Sequence, residues 1–331
     1  MRHRGSTLPF RMPTGEIALG SIAEIAYLRL GGLDQWVMIR GESVANPPLI
    51  LVHGGPGFPE MRLLRYFNAP LEKSFTVVYW EQRGTGKSFD SKIAESSMTV
   101  EQFIHDLDEL VDVVRKRFGK DKVAIYGHSW GSALGVLYAA RFPDKISAYV
   151  GAAQVGDWPA SEAICYAFTL AEAERRGNRR ALRELRAIGP PPHTGQRQMV
   201  QGKWLTRFVG MVRGMSLWRM SRIILAGPEC SIFDLRNILR GTQSSTYTMW
   251  AEVSALNLIS AAPVLKVPVF FFLGRHDHVI APKTSVAYFD MLTAPSKKLV
   301  WFEESAHEPP FEKPAKFNAA MTELVRPILA A

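Results

Sequence analysis

The ten residues Val123 to Ser132, Val-Ala-Ile-Tyr-Gly-His-Ser-Trp-Gly-Ser, constrain this chain more than any other stretch. Val123 to Tyr126 is a short apolar run of the kind that forms a strand covered on both faces, and Ala133 to Phe142 is good helix material. Between them lies Gly127-x-Ser129-x-Gly131. A strand that turns into a helix within so few residues pushes the serine backbone into a strained conformation, and the two glycines leave room for neighbouring chain. The hydroxyl then stands above the sheet edge at a helix N-terminus, where the dipole favours developing negative charge. That is a mount for a nucleophile. An ordinary Gly- and Ser-rich turn has the same letters. What separates the two is whether the chain also supplies oxyanion donors before the serine, and an acid and a base after it.

It supplies all three. Ahead of the elbow, Pro48 to Val52 is a continuous apolar run that reads as a buried strand and ends in His53-Gly54-Gly55-Pro56-Gly57. A glycine pair directly after such a strand lets the backbone turn its N–H groups outward. The natural donors for a tetrahedral intermediate are the backbone N–H groups of Gly55 and Trp130. Phe75 to Trp80 gives the next strand, followed by Glu81-Gln82-Arg83-Gly84-Thr85-Gly86-Lys87-Ser88. The first glycine of that loop is too close to Lys-Ser for a phosphate loop, so it reads as structural, with Arg83 bonding nearby carbonyls or carboxylates. Earlier still, Ile22 to Leu30 and Gln35 to Ile39 alternate as a hairpin joined at Gly31-Gly32, and Thr99 caps a helix over Val100 to Phe118.

After the strand Ile146 to Val150 the pattern changes. From Gln154 to Ala262 strands disappear and helical stretches dominate, at Ser161 to Arg175, Arg179 to Ile188, Gly202 to Val212 and Ile232 to Arg240. The chain therefore divides into a core segment 1–153, a helical cap 154–262 that would lie over the serine, and a second core segment 263–331. Between Ala160 and Ser260 there are 14 Lys and Arg against 7 Asp and Glu, so most of the net charge of +9 sits in the insertion. No nucleic-acid recognition motif accompanies it, and a solvated helical face explains the excess. The basic start, Met1 to Ser6, is not followed by a long apolar segment, and no run is long enough to span a bilayer. A soluble, cytoplasmic protein is expected, with no nucleic-acid or membrane partner. The two cysteines, Cys165 and Cys230, fit a reducing compartment.

The sheet resumes with Val267 to Leu273, followed by Gly274-Arg275-His276-Asp277-His278. A helix over Lys283 to Met291, a strand over Lys298 to Phe302 and a last helix over Pro314 to Leu329 complete it, with His307 just past the last strand. Strands alternating with helices imply a mostly parallel sheet with its site at the carboxyl ends of the strands. Ser129, Asp277 and His307 all fall there. The serine needs a neutral imidazole to take its proton. Of eight histidines, His3 is in the tail, His105 is mid-helix, His193 is in the insertion, and His53 and His128 flank motifs that use their backbone. His276 and His278 straddle Asp277, the triad acid, which leaves His307 as base. No third ligand joins His276 and His278, so no metal is expected, and the chemistry needs no cofactor.

Taken together, His53 to Gly57, Gln82 to Ser88, Gly127 to Ser132, Gly274 to Asp277 and His307 resemble an α/β-hydrolase of the proline iminopeptidase group. The resemblance implies an α/β-hydrolase fold, with a mostly parallel eight-stranded sheet flanked by helices and carrying a helical cap. It also assigns Ser129, Asp277 and His307 as triad and Gly55 and Trp130 as oxyanion donors. Two positions depart from that group. Glu81 stands where it usually has aspartate. The Trp-Glu cap motif, whose carboxylate binds the substrate's free amine, is matched only loosely by Trp250-Ala251-Glu252.

The expected reaction is hydrolysis through an acyl-enzyme on a short-peptide or small-molecule substrate: release of an N-terminal proline or similar residue, or, alternatively, cleavage of a bulky apolar ester or lactone. Ser129 argues against epoxide hydrolases and dehalogenases of this fold, which use aspartate there, and an intact triad argues against a receptor that has lost turnover. For the amine of a peptide substrate the candidate partners are Glu252, Glu229 and Asp234, with Trp250 beside them. Glu162, Glu172, Glu174 and Glu184 read as solvated helix surface. Met199, Met211, Met215, Met220 and Met249, with the aromatic residues of the insertion, suit either a simple core or an adaptable apolar lining for an ester.

Overall fold

The computed structural model describes residues 5–209, 212–231 and 234–329; His3 and Met211 lie outside them. Its strands are β1 (Ile22–Leu30), β2 (Leu33–Gly41), β3 (Pro48–Val52), β4 (Thr76–Trp80), β5 (Val123–His128), β6 (Ile146–Ala152), β7 (Val269–Gly274) and β8 (Lys297–Phe302). They form one sheet in the order β1-β2-β4-β3-β5-β6-β7-β8. The β1–β2 and β2–β4 pairs are antiparallel, and the remaining pairs are parallel. The continuous apolar runs follow from burial on both faces. Leu49 and Leu51 of β3 enter one core with Val77, Tyr79 and Tyr126, and Ile50 and Val52 enter the other with Val78, Trp80 and Ile125.

Helices cover both faces. They are α1 (Met61–Asn68), α2 (Val100–Phe118), α3 (Trp130–Arg141), α4 (Trp158–Arg175), α5 (Arg179–Ile188), α6 (Gln196–Val209), α7 (Leu217–Leu225), α8 (Asp234–Val253), α9 (Leu258–Ala261), α10 (Pro282–Met291), α11 (Pro309–Glu312) and α12 (Pro314–Ala320). Local chemistry sets α2: Thr99 accepts from the Gln102 N–H at 3.2 Å, and Gly119 ends the helix at φ +59° with three basic residues in the last turn. Its stripe Phe103, Leu107, Leu110 and Val114 is fully buried.

Helices α4 to α9 run between β6 and β7, and Trp204 and Phe208 pack with Ala173, Ala181 and Leu185 into a small core of their own. Asp157 and Asn257, paired through their side chains at 3.0 Å, clasp the two ends of this stretch. Several features differ from the sequence pattern, among them α7, which it did not disclose, and α6, which starts at Gln196 rather than Gly202. Helix α1 was not visible in that pattern, and α8 continues past Arg240 to Val253. No helix among the described residues is long and apolar enough to cross a membrane.

Candidate active site

The last residue of β5 leads straight into Ser129, at φ +52° and ψ −118°, and α3 begins at the next residue. Few non-glycine residues sit at positive φ, because Cβ meets the backbone there. The glycines on either side show why the turn is so tight. A Cβ on Gly127 would lie 2.3 Å from the Gly131 carbonyl oxygen, and one on Gly131 would lie 2.1 Å from the Val52 carbonyl oxygen. The elbow is held from behind: the Ser129 N–H donates to the Ala152 carbonyl at 3.0 Å, and Ser132 Oγ donates to the Ser129 carbonyl at 2.6 Å.

Gly55, at φ +122°, faces Ser129 across one cavity. Among the described residues neither its N–H nor that of Trp130 is given to an acceptor. Gln82 fixes their spacing. It donates to the His53 carbonyl at 2.8 Å and accepts from the Trp130 indole at 3.0 Å, tying the end of β3 to the start of α3. The His53 ring accepts the Gln82 N–H at Nε2 (3.1 Å), so its proton is on Nδ1, facing the Gly54 carbonyl at 2.8 Å; burial lowers its pKa and keeps it neutral. Arg83 makes a bidentate pair with Asp106 at 2.8 Å and donates to the Gly31 carbonyl.

His307 follows β8, and Asp277 follows β7. His307 Nδ1 lies 2.9 Å from Asp277 Oδ2, and Asp277 Oδ1 accepts the N–H groups of Val279 and Ile280 at 2.8 and 2.9 Å. Burial would strip the proton from His307, but the Asp277 charge and hydrogen bond outweigh it and raise the pKa above the ordinary histidine value. Ser129 and His307 line the same cavity, and among the described residues no hydrogen bond joins them.

A second buried network stands behind the first. His128 Nδ1 lies 2.7 Å from Glu60 Oε1, and its Nε2 lies 2.9 Å from the His307 carbonyl oxygen and 3.4 Å from Glu308 Oε2. Both nitrogens donate, so the ring is an imidazolium. Burial opposes that charge, yet the Glu308 and Glu60 carboxylates push its pKa up to about 10. Burial in turn pushes Glu308 up to about 7, against the pull of His128. His128, His307 and Glu308 bring metal-ligand atoms within 4.8 Å of one another. Three of the four ring nitrogens are already committed to Glu60, the His307 carbonyl and Asp277, which is a poor donor set for a cation.

Gly55, Ser129 and His307 share an inner cavity of about 310 Å³ with Phe58, Glu60, Trp158, Glu162, Cys165, Leu205, Trp250, Val279 and Glu308. It meets an outer cavity of about 920 Å³ along Phe58, Gln198, Thr242, Thr246 and Trp250. Of the residues expected to read a substrate amine, only Trp250 lines either cavity. Glu252 is exposed and accepts the Val100 N–H at 3.0 Å, at the start of α2. Glu229 pairs with Arg62, and Asp234 with Lys87 at 2.5 Å. All three are engaged in holding the fold. Glu162, expected on solvated surface, is buried in the wall of the inner cavity. Sequence reasoning missed Glu60 and considered Glu308 only as a substitute for the triad acid, because nothing in their local sequence marks a joint role; only the fold joins positions 60, 128 and 308. Cys165 and Cys230 are both free thiols, and His278 stacks on Phe168 with ring centroids 3.7 Å apart.

Residues 47–183 match the family described as alpha/beta hydrolase fold. The chain is 32% identical over 312 residues to the probable aminopeptidase YbaC of Bacillus subtilis (strain 168), covering 92% of this chain and 97% of that one. It is 24% identical over 298 residues to the proline iminopeptidase of Heyndrickxia coagulans, covering 87% and 93%. Among solved structures, proline iminopeptidase from Mycobacterium smegmatis superposes with a TM-score of 0.65 at 19% identity, covering 93% of this chain and 99% of that one. The chain belongs to the α/β-hydrolase family and is a hydrolase similar to aminopeptidases of the proline iminopeptidase type.

Proposed function

We propose that this hydrolase works through Ser129, His307 and Asp277 and a covalent acyl-enzyme, and that it removes an amino-terminal residue from a small-molecule or short-peptide substrate. The observation that carries the reading is the strained Ser129 in one cavity with His307, whose Nδ1 is paired to Asp277. Ser129 Oγ attacks the substrate carbonyl while its proton passes to His307 Nε2, and Asp277 stabilises the imidazolium that forms. The oxyanion takes the N–H groups of Gly55 and Trp130, a reading supported by the absence of any other acceptor for them among the described residues. His307 then gives its proton to the departing amine, and water repeats the sequence to release the acid. The inner cavity suits one small acyl unit. The larger outer cavity, with Phe89, Ile93, Met98, Ile238 and Leu239 in its wall, suits the leaving part.

The aminopeptidase description of the Bacillus subtilis relative supports cleavage next to a free amine. The apolar lining by Phe58, Trp158, Leu205, Trp250 and Val279 supports the second reading, a carboxylesterase or lactonase for a bulky apolar ester. One panel separates them: alanine and proline p-nitroanilides, their N-acetyl forms, and p-nitrophenyl esters of rising chain length. An aminopeptidase cleaves a free-amine anilide and rejects its N-acetyl form. Preference for a long-chain ester, with no anilide cleaved, overturns the aminopeptidase reading in favour of the esterase.

A further inference from the structure

Three carboxylates from distant parts of the chain line the inner cavity, Glu60, Glu162 and Glu308, and in each of them Oε2 is buried with no hydrogen-bond partner. Buried acceptors without donors are costly, and native proteins keep few of them. Here all three belong to residues that line the cavity where substrate must sit. Their charges point the same way. The His128 imidazolium lies between Glu60 and Glu308, one positive charge against two carboxylates, so the ionised cluster holds an uncompensated negative charge. A cation that brings several N–H donors is its complement, and an α-ammonium group brings three.

Geometry places that cation on the acyl side. The α-nitrogen of an amino-terminal residue lies only about 2.5 Å from its carbonyl carbon, as the N–Cα and Cα–C bonds and the angle between them require. Its anchor must therefore stand beside the nucleophile. Glu60 does, since its Oε1 accepts the Gly54 N–H at 3.0 Å, and a Cβ on Gly54 would meet both Glu60 Oε1 and Ser129 Cβ. Glu308 is the residue after His307.

We propose that Glu308 and Glu60, bridged by His128, bind the α-ammonium of the substrate, so that amine recognition is built into the core beside the base rather than into the helical insertion. This rests on the aminopeptidase reading above. The anchor limits cleavage to the first residue, because any peptide bond further along would carry an amide, not an ammonium, at that point. It also explains why Glu252, Glu229 and Asp234 are committed elsewhere.

The test compares kcat and KM for an alanine or proline p-nitroanilide with those for p-nitrophenyl acetate. Glu308→Gln and Glu60→Gln are each expected to lower kcat/KM on the free-amine anilide roughly 30-fold or more, mainly through KM, since each removes a buried partner of a charge. The acetate ester brings no ammonium, so each variant should lose less on the ester than on the anilide, and the ratio of the two losses is the readout. Should Glu308→Gln not fold, Glu60→Gln and a binding measurement decide. In Ser129→Ala, alaninamide or prolinamide should bind and the N-acetyl amide should not, and adding Glu60→Gln should abolish the difference. Retention of the free-amine preference in both glutamine variants overturns the proposal and leaves the aminopeptidase reading standing. So does loss of that preference in Glu162→Gln alone, which would put the anchor on α4. A wild-type enzyme indifferent to the free amine overturns the reading and the proposal together.

Discussion

In the proposed reaction the His307 imidazole sets how this site responds to pH. It must be neutral to take the Ser129 proton, and Asp277, 2.9 Å away, favours its charged form strongly enough to raise its pKa despite burial. A raised pKa moves the working range upward. The ratio kcat/KM should therefore climb with pH through an apparent pKa above about 6.5, the ordinary histidine value. Asp277→Asn removes the stabilising charge and favours the wrong tautomer, so the limb should move to lower pH while turnover falls on the order of 10⁴-fold. A pH–rate profile of the variant checks both. An unmoved limb with activity retained would reassign the acid, with Glu308 as the other carboxylate beside His307. Ser129→Ala and His307→Ala should each cost on the order of 10⁵- to 10⁶-fold in kcat, and the double variant little more, because the two act as one unit.

At the scale of elements, the loop after β4 ties together the two segments that carry the proposed oxyanion donors. Gln82 ties His53 to Trp130, and the neighbouring Arg83 is locked to Asp106 of α2, with both side chains almost fully buried. Asp106→Ala would leave that guanidinium buried and uncompensated, a loss of about 3–5 kcal/mol. Urea unfolding should show it, and a loss below about 1 kcal/mol would mean that Arg83 finds another acceptor. The elements differ in how far the sequence discloses them. Helix α2 declares itself through Thr99, Gly119 and a clean apolar stripe. Helix α8 does not, because its second half runs through Gly241-Thr-Gln-Ser-Ser-Thr, poor helix formers held by the core. Thr242 donates to the Gly57 carbonyl at 2.7 Å, Thr246 to that of Pro56 at 3.2 Å and Ser245 to that of Gly84 at 3.3 Å, and a Cβ on Gly241 would lie 2.5 Å from Gly84 O. Tertiary contacts that override propensity leave no local mark.

Over the whole molecule, the parallel part of the sheet brings the ends of β3, β5, β7 and the loop after β8 to one edge, and the groups proposed for catalysis come from those four places. That much was legible, because buried strands, an elbow and the order Ser, Asp, His are local patterns strung along the chain. The acidic wall was not. Its three carboxylates lie at positions 60, 162 and 308, and a search for amine partners confined to the insertion finds acids that the fold uses for a helix start and for two ion pairs. A net charge of +9 likewise gives no hint of a cavity with negative walls. The central claim, that Ser129 is the nucleophile, is tested most directly by intact-mass and peptide-mapping analysis after exposure to a fluorophosphonate probe. One adduct on Ser129 is expected, absent in Ser129→Ala and much slower to form in His307→Ala. Labelling at another residue, or Ser129→Ala turning over substrate at the wild-type rate, would contradict it.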